Sequence, residues 1–398
     1  MADKPRVGLP REVWALGFVS LFMDTSSELV HSVLPVFMAT TLGASKALIG
    51  LIEGVAEAIA QVLKLFAGVS SDWSRRRKPF VLAGYGLSAL TKPLFPLADT
   101  IWLVALARFS DRIGKGIRGS PRDALLADVT PPEMRGAAYG LRQSLDTVGA
   151  ILGPLAAVGL LIVLAGDLRT TLWFAVLPAI LCVLTVVFLV REPEQPAPSA
   201  VAAQEARPSL AGLGRLGAGA WFATVVAGVL TLARFSEAFL LLRGETLGLG
   251  TAAIPFVLVL MNAAYTLSSY PAGVVSDHVG RRGILLAGIA TLVLADLALA
   301  AGGDGLVVFG AGIGLWGLHM GLTQGLLAAM VADAAPAELR GTAFGVFNLV
   351  SGIALLVAST VAGLLWDAIG PQAPFLGGAL VASAGLGLLA LAPQGRRG

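Results

Sequence analysis

The chain has 398 residues, of which 56% are hydrophobic and 13% are charged, and its mean hydropathy is +0.81. The charged share is about half that of a typical soluble domain, so the composition excludes an ordinary soluble protein and predicts a multi-pass protein of the lipid bilayer. The net charge of +3 does not indicate a nucleic-acid partner, because the basic residues lie mostly in short loops between apolar runs.

A tandem repeat divides the chain into two halves. The segment 68–79, GVSSDWSRRRKP, returns as 273–283, GVVSDHVGRRG, at an offset of 205 residues (273 − 68). The same offset relates Ala127-Asp128 to Ala332-Asp333. An internal repeat of this length predicts two structurally similar halves, and it is stronger evidence for the architecture than any local pattern.

Turn and charge signals predict about twelve spanning helices, each with the roughly 20 apolar residues that a bilayer requires. The predicted spans are 13–38, 47–69, 80–98, 101–126, 136–165, 170–190, 218–242, 251–275, 284–302, 305–331, 341–366 and 372–392. They form a bundle over 1–190, a Pro- and Ala-rich linker over 191–216 and a second bundle over 217–398. Because basic residues concentrate in alternate loops, we expect both termini to be cytoplasmic, in an inner or plasma membrane.

Six plus six helices, a central linker and the repeated GxxxDxxxRR loop resemble the major facilitator superfamily. The resemblance implies an all-α membrane protein with twelve transmembrane helices in two six-helix bundles, which works as a secondary transporter. It also implies that the loop carboxylates and arginines latch the cytoplasmic gate, whereas a simple positive-inside anchor is the alternative. The gating residues predicted in this way are Gly68, Asp72, Arg76, Arg77, Asp128, Gly273, Asp277, Arg281 and Arg282.

The first span carries a polar face. Asp24, Glu28 and His31 follow the spacing i, i+4, i+7 and share one side of a helix that must cross lipid. Ionisable groups at that depth are costly and usually face a cavity, a partner or a substrate, so we predict that Asp24 or Glu28 carries a proton. Ion pairs with the fourth span, or a divalent metal, are the alternatives. One helix face rarely completes a metal site, so none is assigned.

The second and fourth spans carry opposite charges. Glu53 and Glu57 share a face of the second span, and the fourth contains RFSDRIGKGIRG over 108–119. So basic a helix cannot face lipid and is predicted to face the acidic sides of the first two spans. Its RIGKGIRG segment resembles the superfamily pattern RxxQGxG, with Lys115 in place of glutamine, which implies that Arg112 assists proton exchange or handles substrate charge. Lys92, in the third span, is predicted to reach the membrane interface.

The fifth span places Arg142 one helical turn from Asp146, followed by GAILGP over 149–154. The GxxxGP core resembles a motif of superfamily antiporters and favours export over import. In the second half, Arg234 and Glu237 at i and i+3 are predicted to form a structural ion pair, and His319 a packing contact. The second half is otherwise expected to supply mostly apolar lining.

These patterns predict a proton-coupled transporter of a small organic solute, monomeric and without a cofactor. A carrier of a metal or metal complex, an amphiphile flippase and a non-transporting receptor are the alternatives. The chain has no GxxxxGK[ST] phosphate loop and no evident nucleophile with a base, so we expect neither an ATP-driven pump nor an enzyme. The predicted proton or substrate residues are Asp24, Glu28, His31, Glu53, Glu57, Arg108, Asp111, Arg112, Lys115, Arg142 and Asp146.

Overall fold

A computed structural model describes residues 9–74, 76–192, 216–301, 305–335 and 339–391. Within these ranges it does not describe the side chains of Leu65, Val69, Asp72, Trp73, Ala218, Asp277, His278, Val279, Ala328, Ala332, Asp333, Arg340 and Gly341. Most of the predicted linker, 193–215, lies outside the described residues, so the domain boundaries stay predictions.

Within the described ranges the chain forms twelve long helices, numbered here in chain order. Those of the first half are α1 Arg11–Val36, α2 Lys46–Ser74, α3 Lys78–Thr91, α4 Ile101–Asp128, α5 Arg135–Val163 and α6 Val176–Leu189. Those of the second half are α7 Ala218–Ala233 with a second piece Ala238–Thr246, α8 Phe256–Val279, α9 Arg281–Ala301, α10 Leu306–Ala334, α11 Arg340–Ala368 and α12 Ala373–Leu391. The all-helical prediction is confirmed.

Ten helical segments of the described residues are long and apolar enough to cross a bilayer. The two remaining long helices, α2 and α4, have 29 and 28 residues. They carry too many charged residues to cross lipid alone, and they need partners inside the protein to do so. The chain is therefore a multi-pass membrane protein in which α2 and α4 must be paired with each other.

The two halves meet at the end of the molecule opposite the linker. A single hydrophobic core there contains residues of both halves, among them Phe37 and Ile49 from the first and Phe239 and Phe375 from the second. Toward the linker the core separates into two clusters, one built only from the first half and one only from the second. The described buried apolar side chains of the two halves therefore share one core at one end, and toward the linker they pack within their own half.

Close packing of α2 on α11 makes the joined end. Gly50 lies against the Ser359 carbonyl, and a Cβ at Gly54 would lie 2.9 Å from the Leu356 Cα. Contacts this short leave no room for a side chain, so the small residues allow the two backbones to approach. Gly50 and Gly54, one helical turn apart, thus pack between the halves.

A carboxylate of the second half caps a helix of the first. Asp367, at the end of α11, accepts hydrogen bonds from the backbone N–H groups of Lys46, at 3.1 Å, and Ala47, at 2.8 Å. These groups belong to the first turn of α2, whose N–H groups have no partner within the helix and whose dipole favours an anion. The cap therefore fastens α11 to α2 at the joined end.

Replacing Asp367 should loosen the joined end. An N-cap contributes about 1 kcal/mol, so Asp367→Ala should shift the equilibrium about fivefold toward states open at that end. Spin labels at Leu97→Cys and Ile369→Cys, in a Cys182→Ser background, would report the distance between the halves by pulsed electron paramagnetic resonance.

Asp167→Ala is the matched control. Asp167 caps the short helix Leu168–Trp173 through a 3.1 Å bond from the Thr170 N–H, within one half. The Thr170 hydroxyl and N–H also lower the pKa of Asp167. Its loss should leave the distance distribution unchanged. Equal distributions for the Asp367→Ala variant and the wild type would contradict the role of the cap.

Candidate functional site

A cavity of about 490 Å³ lies between the two halves, and both halves line it. Its ionisable lining is Glu28, His31, Glu53, Glu57, Arg112 and Lys115 from the first half, and Arg234, Glu237 and His319 from the second. Six of the eleven predicted proton or substrate residues therefore meet in one place.

Ion pairs between α2 and α4 neutralise part of this charge. Arg108 lies 2.6 Å from the Glu53 carboxylate, and both side chains are 1% exposed. One helical turn further along, the Arg112 Nε lies 3.2 Å from Glu57. The prediction that the basic face of the fourth span meets the acidic face of the second is thus confirmed. Arg112 therefore pairs with Glu57 of the second span.

His31 connects the Arg108 pair to the second half. Arg108 lies 3.0 Å from His31 Nδ1, and because a guanidinium only donates, Nδ1 accepts and the ring proton sits on Nε2. Nε2 in turn lies 3.7 Å from the carboxylate of Glu237. That distance is too long for a hydrogen bond but short enough for an electrostatic contact. The polar chain therefore runs from Glu53 to Glu237 across the two halves.

Asp111 faces away from the cavity. Its carboxylate lies 3.0 Å from the Lys92 Nζ, which also donates to the Ser27 hydroxyl at 3.1 Å. Lys92 is 1% exposed, so the prediction that it reaches the membrane interface is wrong. Three-dimensional packing gives this lysine a buried partner, and a buried ion pair is preferred to an ammonium in lipid. Asp111 thus belongs to a buried pair between α3 and α4.

A second charged cluster lies beside the cavity, between α1, α4 and α5. Arg142 and Arg122 each lie 3.8 Å from Asp146, and both also approach Asp123. The carboxyl group of Asp24 contacts that of Asp146. The predicted residues Asp24, Arg142 and Asp146 therefore come together, while Asp123, which the sequence analysis did not single out, completes the cluster.

The second half contributes more polar groups than predicted. Helix α7 breaks after Ala233 and resumes at Ala238. Arg234 and Glu237 lie in this break and line the cavity. Polar residues make up more than half of the lining from this half, so the expectation of a mostly apolar wall is wrong. The predicted Arg234–Glu237 ion pair is also wrong, because i, i+3 spacing brings side chains together only in a continuous helix.

His319 agrees with its prediction as a packing residue. It is 1% exposed, and its Nδ1 lies 2.8 Å from the Gly288 carbonyl, which fixes the ring proton on Nδ1. The ring therefore joins α10 to α9 while its edge lines the cavity.

The repeated loops lie at the linker end. Arg77 donates 2.8 Å to the Ser71 hydroxyl, lies 3.5 Å from Asp128 and uses its backbone N–H to bond Glu192. These contacts join α2, α3, α4 and the end of α6 within one half. In the second copy Arg282 donates to the carbonyls of Leu389 and Ala390 in α12.

The other predicted gating residues have few described contacts that bear on a gate. Gly68 packs on Ser120, and the Arg76 N–H donates to the Ser74 hydroxyl at 3.3 Å. Gly273 is exposed, and Arg281 is the first residue of α9. The side chains of Asp72 and Asp277 lie outside the described residues, so the latch itself stays a prediction.

The GxxxGP segment forms the contact between α5 and α1. A Cβ at Gly149 would lie 2.6 Å from the Leu21 carbonyl, and one at Gly153 would lie 2.6 Å from the Thr25 carbonyl and 3.0 Å from the Glu28 Cβ. These glycines therefore set how closely α5 approaches the polar face of α1.

The sequence model of the Major Facilitator Superfamily matches residues 16–359 and 229–397. The chain is 33% identical over 383 residues to an uncharacterized MFS-type transporter of Methanocaldococcus jannaschii, covering 94% of this chain and 93% of that one. The chain belongs to the Major Facilitator Superfamily. The resemblance read from the sequence is confirmed, and membership of this transporter superfamily supports the expectation that the chain is not an enzyme.

Two further comparisons agree with superfamily membership. The nucleoside transporter NupG superimposes with a TM-score of 0.78 at 14% identity, over 95% of this chain and 98% of that one, which shows the common fold. Multidrug resistance protein MdtH of Proteus mirabilis is 31% identical over 147 residues, which are 37% of this chain and 34% of MdtH.

Adding a methyl group at Gly153 should separate α1 from α5. The new Cβ would meet backbone atoms of α1, which cannot move as a side chain can, so Gly153→Ala should cost about 1–3 kcal/mol and lower the melting temperature. Gly159→Ala on the same helix is the control, because a Cβ there has no neighbour within 4 Å. Thermal unfolding of both purified variants tests this, and equal melting temperatures would contradict the close contact.

Proposed function

We propose that the protein is a proton-coupled secondary transporter that moves a small organic solute by alternating access, with export favoured. The cavity between the halves carries the proposal, because ionisable side chains of both halves line it and the described apolar side chains of the two halves share a core at one end. A solute bound there would contact both bundles, which is the arrangement that alternating access requires.

The orientation follows from the charge of the loops. If both termini are cytoplasmic, as the basic loops predict, the linker end faces the cytoplasm and the joined end faces outward. A single unit in an inner or plasma membrane is part of the same proposal.

Proton coupling is supported by the charges left without a counter-ion. Two carboxyl groups in contact cannot both be ionised at low cost, so the Asp24–Asp146 contact favours one shared proton. Among the described residues Glu28 forms no ion pair, although it lines the cavity one turn from Asp24. We assign the proton to these carboxyl groups, with Arg112 and Lys115 supplying the neighbouring positive charge.

An anionic group on the solute is supported by two cations. Arg108 and Arg112 are already neutralised by Glu53 and Glu57. Lys115 and Arg234 line the cavity from opposite halves, and neither has an ion-pair partner among the described side chains. A carboxylate or phosphate between them would pair with both cations and bridge the two bundles.

Export rests on two observations. The GxxxGP segment resembles the antiporter motif and forms the contact between α5 and α1. The partial match to a protein named for multidrug resistance points the same way.

Removing the proton carriers should uncouple transport without abolishing it. A solute that stabilises the purified protein, found among organic anions, organic cations, metal ions and amphiphiles, would be radiolabelled and tested in proteoliposomes. Asp24→Asn and Glu28→Gln should retain counterflow, which moves no net protons, and lose most of the accumulation driven by a pH gradient. Asp99→Asn, at a carboxylate 84% exposed, is the control. Undiminished gradient-driven accumulation in both variants would refute the coupling assignment, and absence of counterflow in the wild type would favour a non-transporting receptor.

Neutralising the unpaired cations should weaken binding of anions. Hydrogen bonds to charged groups contribute about 1.5–3 kcal/mol, so Arg234→Gln or Lys115→Gln should raise the dissociation constant of an organic anion at least about tenfold. Titration calorimetry measures this, with Arg169→Gln at the joined end as control. Tighter binding of an organic cation in the variants would show instead that the acidic residues recognise the solute.

A further inference from the structure

Asp296 is a carboxylate that the cavity does not use. It lies in α9 and is completely buried, and neither of its oxygens has a hydrogen-bond partner among the described groups. An isolated charge in so apolar a place is very costly, so the group needs a proton or a cation.

The surrounding titratable groups are turned elsewhere. His319 of α10 bonds to the Gly288 carbonyl, and Arg243 donates to the carbonyls of Leu299 and Ala300 at the end of α9. Arg234 and Glu237 face the cavity. The sequence of α12 over Ala373–Leu391 contains no titratable residue. Among the described side chains, then, none supplies a counter-charge to Asp296.

One acceptor does approach the carboxyl group. A Cβ at Gly378 of α12 would lie 2.7 Å from Asp296 Oδ2 and 2.9 Å from the Ala233 carbonyl oxygen, so these two oxygens face the same point. Ala233 ends the first piece of α7, where the final carbonyls have no N–H of a following turn and carry the negative end of the helix dipole. A carboxylate there would be repelled, whereas a carboxylic acid could donate to the carbonyl.

We propose that Asp296 is a second proton-binding site, in which the carboxylic acid faces the broken end of α7. A hard cation is the weaker occupant, because it takes about six oxygen ligands and no group of three or more His, Cys, Asp or Glu side chains forms among the described residues. The site differs from the Asp24–Asp146 cluster and does not depend on solute transport.

The position of Asp296 beside the broken end of α7 links its protonation to the shape of the cavity. Loss of the proton would put a negative charge beside the Ala233 carbonyl, and the chain turns Arg234 into the cavity directly after that residue. Protonation of Asp296 therefore stabilises the break in α7 that forms this wall of the cavity.

Infrared spectroscopy of the full-length protein at neutral pH tests the site. The wild type should show a protonated-carboxyl band that shifts in D2O, and Asp296→Asn should lose part of it. Asp99→Asn, the same change at an exposed carboxylate, should keep the band unchanged. A band of wild-type intensity in Asp296→Asn would overturn the proposal.

Thermal unfolding supplies an independent readout. The folded protein holds a proton that the unfolded chain releases at neutral pH, so this site makes unfolding about tenfold more favourable for each unit that the pH rises. Asp296→Asn should fold, because the amide is isosteric with the acid, and it should lose this contribution to the pH dependence. An unchanged dependence would count against the proton. Stabilisation of the wild type by sodium, absent in Asp296→Asn, would show that the site holds a cation instead.

Discussion

The cost of burying charge inside a bilayer governs this molecule. The helices α2 and α4 contain more charge than lipid tolerates, and each depends on partners inside the protein, chiefly the other helix, to neutralise it. Their ion pairs fix which faces of the two helices meet. The cavity is polar on this side because Glu53, Glu57 and Arg112, which form the ion pairs between α2 and α4, also line it.

The two halves arose from one repeated sequence but have different chemistry. The first half holds most of its buried charges in pairs and clusters and leaves Glu28 and Lys115 at the cavity. The second half places Arg234 and Glu237 at the cavity and buries Asp296 without a counter-charge among the described side chains. An isolated ionisable group responds more readily to solute, protons or a conformational change than one held in a network. Unpaired groups of both halves therefore lie at the cavity, whereas Asp296 lies apart from it in the second half.

Much of the architecture could be predicted from the sequence. The repeat at an offset of 205 residues and the length that a helix needs to cross a bilayer allow few other arrangements of helices. The pairing of Arg108 and Arg112 with acidic residues was also predictable, since so basic a helix needs them. Lys92 was misplaced because its partner Asp111 lies 19 positions away and is brought near only by the packing of α3 on α4. Arg234 and Glu237 were misplaced because no proline or glycine marks the break between them.

The cap at Asp367 makes the molecule less symmetric than its repeat. The offset relates the seam between α2 and α11 to the seam between α8 and α5, and position 162 (367 − 205), which corresponds to Asp367, is Ile162. Among its described side chains the second seam carries a 3.4 Å bond from the Asn262 amide to the Ala150 carbonyl and no charged cap. Two joints of common origin therefore resist separation unequally, and a rocking motion between the bundles would meet more resistance at one edge of the joined end than at the other.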